Sequence, residues 1–462
     1  MIARDAEHTL GACLDSVRPW IQQIVCCVDE LTTDATADVA RAHGADVVVP
    51  IKVSDWHECE QHGRVLAQHF GQARNESFTY LDASLDAYLW IDADDILDGG
   101  EHLAEVLAGC PDDALGYWVP YVYASAHNHT AINTVFDRER LLRARAGGRP
   151  IPWRWEHRVH EVVKPADRAQ RWVRTEAVRV LHQEGVHKSH DSAKRNLLLL
   201  EIDLEERPDD SRSVFYVANQ YFAMGRMPEA ADWYERLTGM RDANPYERWQ
   251  SFVYQSIAFE RMGDLDQATR SAFCSIDTIP DHPEPYLRLA SIYCAAGEFA
   301  KTVYWDRVAR QQRPPPPFVF TNPMDLSYNS KTILADALGQ MGRFGSALRL
   351  LEEADAVAPN EKVEEAIARY RGLLAAGQKA TGFVALCEGR SDEDIVALYR
   401  TLPEEVKSLG RTRDVAAPAM LRLRALRHIT QAADLVEQSN TLSEQAYAHA
   451  KASEAILREM DL

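Results

Sequence analysis

Apolar positions near the start of the chain, Leu10, Cys13, Leu14 and Val17, follow the i, i+3, i+4, i+7 spacing of an amphipathic helix. A short apolar run from Ile24 to Val28 then predicts a strand. Thr32 or Thr33 can cap a helix from about Asp34 to Arg41, Gly44 can end it, and Val47 to Val49 predict a second strand. A further helix is predicted around Gln61 to Arg74, ahead of a strand from Tyr88 to Ile91. This β-α-β rhythm predicts an α/β domain built on an open, mostly parallel sheet, in which ligands bind beyond the carboxyl ends of the strands. Asp29 and the run Asp92-Ala93-Asp94-Asp95 stand at such ends.

Between residues 116 and 190 the pattern turns β-rich, as in Tyr117 to Tyr123 and Ala177 to Leu181, with Trp153, Trp155, His157, His160 and His182 interleaved. A substrate-facing flap is expected there. From about Arg195 the rhythm is purely helical and repeats itself. Residues 224 to 230, 262 to 268, 296 to 302 and 341 to 347 each place a glycine five positions before a small residue. Those glycines, Gly225, Gly263, Gly297 and Gly342, lie 38, 34 and 45 residues apart, which predicts an all-α tetratricopeptide solenoid with a period of about 34 residues. Pro314 to Pro317 account for the long interval as an extended connector. The expected domains are therefore 1–190, 191–375 and a helical extension over 376–462.

The length of 462 residues suits about three ordinary domains, and 46% hydrophobic residues supply a normal core. With 70 acidic against 51 basic residues the formal net charge is −19, which argues against bulk nucleic acid or an anionic membrane as partner. No apolar run reaches the roughly 20 residues of a membrane span, and residues Met1 to Asp5 lack a signal-peptide pattern. The eight cysteines are scattered with no Cys-x-x-Cys pair, so the expectation is a reduced, cytoplasmic protein without structural zinc.

The strongest candidate chemistry is the strand that empties into Asp92, Asp94 and Asp95, since hard carboxylate oxygens suit Mg²⁺ or Mn²⁺ against a diphosphate. A bare Asp-x-Asp more often caps the next element, and Asp29 has the same alternative. Arg74 reads either as a helix-terminal cation or as a phosphate ligand. Glu161 is either a general base or a surface carboxylate beside Lys164, and His182 either completes a metal shell or is simply hydrogen bonded. The cluster Trp155 to Glu161 lacks the His-Glu-x-x-His order of a zinc protease.

Taken in order, Arg4-Asp5-Ala6, Leu10 to Val17, Val28-Asp29 with Thr32 to Thr36, Ala73-Arg74-Asn75 and Trp90 to Asp95 resemble the family 2 glycosyltransferases of the GT-A fold. Phe136-Asp137-Arg138, Arg158 to Glu161, His182 and the helical repeats resemble the branch with a tetratricopeptide tail, which includes the S-glycosyltransferases of bacteriocin peptides. The resemblance implies a metal-dependent inverting hexosyltransferase that uses a nucleoside diphosphate sugar, UDP-linked, with Mn²⁺ or Mg²⁺. It implies Arg4, Asp29, Arg74 and Asp92 at the donor, Asp92, Asp94 and His182 at the metal, and Glu161 where the acceptor is deprotonated. Glu30-Leu31-Thr32 departs from the family's usual Thr-Gly-Ser, and only Met1 to Ala3 represent the first strand, so that strand is expected to be short or to begin upstream. The repeats would offer a concave surface for a peptide or protein acceptor or for self-association. The alternative is an inactive transferase-like scaffold that works through its repeats.

Overall fold

The computed structural model describes residues 1–60, 62–124, 134–146, 148–165, 171–183 and 192–387, with isolated positions beyond. It forms two compact units, Met1–Arg288 with Gln312–Pro323, and Leu289–Gln311 with Met324–Leu462. Among the described residues no helix is long and apolar enough to cross a membrane.

In the first unit, β1 (Ile2–Ala3), β2 (Val25–Asp29) and β3 (Val47–Ile51) make a parallel sheet in the order β1-β2-β3. All five residues of β2 are buried because both its faces are covered. Cys26 and Val28 pack with Leu10, Cys13, Leu14 and Val17 of α1 (Leu10–Val17), while Val25 and Cys27 pack with Ile51, Val53 and Ala73. Helix α2 (Thr36–Ala42) lies between β2 and β3, as the β-α-β rhythm predicts.

The helix expected over 61–74 is replaced by an antiparallel hairpin of β4 (Ser54–Cys59) and β5 (Gly63–Gln68), followed by α3 (Phe70–Phe78). Two causes are visible. Gly63 adopts φ +68° at the turn, and Cys59 and Ala67 bury against a distant helical cluster around Leu197 and Leu200, a partner that local periodicity does not register.

A second sheet corrects the expectation of one mostly parallel sheet. It contains β6 (Ala87–Leu89), β7 (Asp95–Asp98), β8 (Gly116–Ala124), β9 (Thr134–Arg143), β14 (Trp172–Arg174) and β15 (Arg179–His182). Its order is β6-β9-β8-β15-β7, with β14 beside β8. Pairs β6/β9, β8/β9 and β15/β7 are antiparallel, and only β14 and β15 run parallel to β8. Part of the segment read as a flap thus lies inside the sheet. Helix α4 (Leu103–Ala108) and the short pair β10 (Arg145–Ala146) and β11 (Arg149–Pro150) complete this part. The separate hairpin β12 (Trp153–Glu156) and β13 (Val162–Pro165) packs Trp155 and Val163 on Trp90 and Leu142.

Helices α5 (Ser192–Glu206), α6 (Ser211–Ala223), α7 (Met227–Gly239), α8 (Pro245–Arg261) and α9 (Leu265–Thr278) belong to the first unit. After α10 (Glu284–Ala295), the second unit holds α11 (Phe299–Ala309), α12 (Ser330–Gln340), α13 (Phe344–Asp355) and α14 (Glu361–Cys387). Together they form a tetratricopeptide-like helical region. Each repeat glycine closes a helix in the left-handed conformation, with φ +77°, +82°, +76° and +74° at Gly225, Gly263, Gly297 and Gly342. After α6 the amides of Gly225 and Arg226 bond back to the carbonyls of Phe222 and Tyr221, satisfying two terminal acceptors. The small residues five positions on, Ala230, Ala268, Thr302 and Ala347, are all fully buried, as close helix packing demands. Residues Pro314 to Pro317 are non-helical as expected, but the chain there returns to the first unit: the Asp137 amide donates to the Pro317 carbonyl at 2.8 Å.

Candidate active site

An open cavity of about 1750 Å³ in the first unit is lined by Arg4, Asp29, Arg74, Asp92, Asp94, Glu161 and His182. The residues to which the resemblance gives a donor, metal or proton-accepting role therefore line one space, whereas Asp95 does not. They arrive from several separate elements. Asp29 ends β2, where its carboxylate accepts from the Leu31 amide at 3.2 Å and pairs with Arg4 at 3.3 Å. Arg74 projects from α3, Asp92 and Asp94 from the turn between β6 and β7, Glu161 from the β12–β13 loop, and His182 from the end of β15.

At the centre is a buried ionic chain. Arg74 donates through Nε to Glu161 at 2.7 Å and through Nη2 to Asp92 at 2.6 Å. Arg140, on β9 and only 1% exposed, reaches the other Asp92 oxygen at 3.2 Å and Asp95 at 3.0 Å. Burial alone would raise the Asp92 carboxyl, but the two guanidiniums outweigh it and hold it well below the usual range. For Arg74 burial works against the charge, and Asp92 and Glu161 reverse the sign and raise it. Trp90 supports the chain, its ring lying 3.8 Å from the Arg140 guanidinium and 4.9 Å from that of Arg74.

Asp94, Asp95 and His182 form the group with metal-ligand chemistry, their donor atoms all lying within 4.8 Å of one another. Strand register explains it, since His182 on β15 is the direct partner of Asp95 on β7. The His182 Nδ1 lies 3.2 Å from Asp95 and 3.8 Å from Asp94. Its hydrogen bond to Asp95 leads the upward shift of the imidazole, while burial and then Asp92 raise Asp94. Asp92, placed with the metal ligands by the resemblance, stands apart because both its oxygens engage arginines. Asp95 is fully buried between Tyr121 and Arg140, which leaves Asp94 and His182 as the groups best able to offer donors to an ion. The Asp94 carboxylate fits Mn²⁺ or Mg²⁺, whereas the His182 imidazole is a softer donor than Mg²⁺ prefers.

Arg140, Tyr121 and Trp90 carry no role in the sequence reading. One signal was available: Arg138, Glu139 and Arg140 interrupt a strand otherwise continued by Leu141 and Leu142, and charges inside a buried strand require partners. Phe318 and Phe320, beyond the prolines, also line the cavity, with Phe318 stacked on Trp118 at 5.7 Å.

Beside Glu161, burial depresses His157 to about 4 and His160 to about 3, from 6.5. An unfolded chain takes up those protons as pH falls below 6.5 and the folded one does not. The histidines thus contribute stability that is present above 6.5 and lost as pH falls towards 4 and 3. Asp203, raised by burial to about 6 from 3.8, acts oppositely, its contribution being lost as pH rises through 6. For these three groups, two histidines against one carboxylate give a net loss of stability on acidification from 6.5 to 4. The melting temperature should fall over that range, and less steeply in His160→Phe; equal slopes would refute this assignment.

No known protein family matches the chain, and no curated protein does. Among solved structures, the chain is similar to TTC0263, a thermophilic TPR protein of Thermus thermophilus, at 20% identity over 40% of this chain and 91% of that one, with a TM-score of 0.29. A MamA variant matches at 23% identity over 36% of this chain and 88% of its own, with a TM-score of 0.28. YrrB, described as a TPR protein with an unusual peptide-binding site, matches at 11% over 39% of this chain and 84% of its own, with a TM-score of 0.30. At such scores the account of the repeats rests on their own caps and packing.

Proposed function

We propose that the chain is a metal-dependent inverting hexosyltransferase of GT-A type that moves a hexose from a nucleoside diphosphate sugar, UDP-linked, to a peptide or protein side chain. The observation that carries this reading is the convergence of Asp29, Arg74, Asp92, Asp94, Glu161 and His182 on one cavity from elements far apart in sequence. A structural salt-bridge network has no need of Asp29, Asp94 and His182 in the same space.

In this reading Asp29 and Arg4 hold the nucleoside and Arg74 faces the diphosphate. Asp94 and His182 would hold the divalent ion, which supplies charge neutralisation for the departing nucleoside diphosphate. The acceptor nucleophile attacks the anomeric carbon as the carbon–oxygen bond to the diphosphate breaks, and Glu161 takes the acceptor proton. Glu161 uses Oε1 for Arg74, while Oε2 makes no hydrogen bond among the described residues. Asn219 and Gln220 of α6 and Gln250 of α8 also line the cavity; each already bonds through one amide atom, to Tyr234, His160 and Phe320 respectively, which leaves the other amide atom to pair with a peptide backbone.

A second reading, an inactive scaffold, is favoured by the full engagement of Asp92 by Arg74 and Arg140. Thermal denaturation with UDP and Mn²⁺ separates the two, because a ligand at 100 times its dissociation constant stabilises a protein by about 2.7 kcal/mol. The transferase reading expects that shift, its loss in Asp94→Ala, and UDP release from a nucleotide sugar. Absence of both shift and release across UDP and GDP sugars would leave the scaffold.

A further inference from the structure

Glu161 is carried by the five-residue loop that joins β12 to β13, and the loop's backbone is unusual. His157 and His160 both have left-handed backbones, at φ +73° and +51°, conformations that non-glycine residues keep only when their surroundings impose them. Two sets of contacts do so. From one side, the first turn of α3 donates: the Phe70 amide to the Arg158 carbonyl at 2.9 Å and the Gly71 amide to the His157 carbonyl at 3.2 Å. Approach is so close that a Cβ on Gly71 would lie 2.4 Å from the His157 oxygen. The same helix carries Arg74, the partner of Glu161.

From the other side the loop sits in a socket made by α5 and α6. Asp203 accepts from the Arg158 amide at 2.9 Å and lies 3.4 Å from the Arg158 Nε. Arg207 donates to His157 Nδ1 at 3.1 Å. Arg212 donates to the His160 carbonyl at 3.2 and 3.1 Å, and the Tyr216 ring stacks on His160 at 4.0 Å. Asp203 is completely buried and does not line the cavity, so it cannot touch a substrate. A buried carboxylate is a poor way to gain stability alone, because desolvation offsets its attraction to Arg158 and Arg207.

We propose that Asp203 is a positioning residue: from the first repeat helix it fixes the Arg158 backbone, and through it the placement of Glu161 against Arg74. This rests on the transferase reading for the role of Glu161, whereas the clamp itself does not. The helical repeats are then part of the catalytic apparatus rather than an appended module.

The test uses the full chain with Asp203→Ala and Asp203→Asn. Hydrogen exchange of Asp203→Ala should show protection of the Arg158, Phe70 and Gly71 amides reduced about tenfold or more, with β2 unchanged. Turnover of the nucleotide sugar should fall by on the order of 10²-fold in kcat, with the donor KM unchanged. Asp203→Asn, which keeps an oxygen for the Arg158 amide, should recover part of both, and it carries both readouts if the alanine variant does not fold. Unaltered protection of the loop amides would overturn the clamp. Lost protection with kcat intact would overturn the positioning role. Wild-type protein without any turnover would instead refute the transferase reading, and exchange would still decide the clamp.

Discussion

Arg140→Ala is expected to destabilise the first unit by about 3–5 kcal/mol, the cost of stripping a buried ion pair of one partner. Arg140 is 1% exposed and Asp95 fully buried. Removing the guanidinium leaves Asp95 with no cationic arginine, its remaining partners being the Tyr121 hydroxyl, His182 and a 3.4 Å bond from the Asp92 amide, and leaves the Asp92 carboxylate with Arg74. It also empties the space between Trp90 and Tyr121, whose rings lie 3.8 and 4.5 Å from that guanidinium. Chemical denaturation should therefore show a much lower midpoint. The charge argument makes a sharper statement through the double variant with Asp95→Asn. Its loss should be smaller than the sum of the two single losses, because the second change removes the carboxylate that the first one orphans. Additive losses, or a single-variant loss under about 1 kcal/mol, would mean that the buried charges are compensated elsewhere.

Glu161→Gln should leave the fold intact and lower kcat for transfer by on the order of 10²–10⁴-fold, the usual worth of a general base. Glutamine keeps a carbonyl oxygen for the Arg74 Nε and preserves the shape of the pocket, but it cannot take a proton. Arg74 retains its bond to Asp92 at 2.6 Å, so nucleotide affinity, read by the UDP and Mn²⁺ thermal shift, should stay close to wild type. A fall in affinity that matches the fall in kcat would reassign Glu161 to holding Arg74. Unchanged turnover would remove it from the chemistry altogether.

Features of this protein that depend on neighbours in the chain were legible without coordinates. The burial of β2, the helix at Leu10 to Val17 and the spacing from glycine to a small residue in the repeats are local signals, set by apolar periodicity and by the left-handed backbone of each repeat glycine. Asp29 and His182 end recognisable strands, whereas Arg74 lies inside α3 and not at its end, and the site roles of these residues, Asp94 and Glu161 came from the ordered resemblance and not from any one local signal.

What those signals could not supply was decided by contacts between distant stretches. The 54–68 hairpin formed because Cys59 and Ala67 found a helical partner more than 130 residues away. The second sheet is mixed because β15 inserts between β8 and β7, and that register alone brings His182 opposite Asp95. Arg140, to which the sequence reading gave no role, became the counter-charge of two carboxylates, and together with Arg74 it engages both oxygens of Asp92. Local order along the chain follows from periodicity and backbone preference, whereas a site is a meeting of charges, and which charges meet is settled only when burial forces each to find a partner.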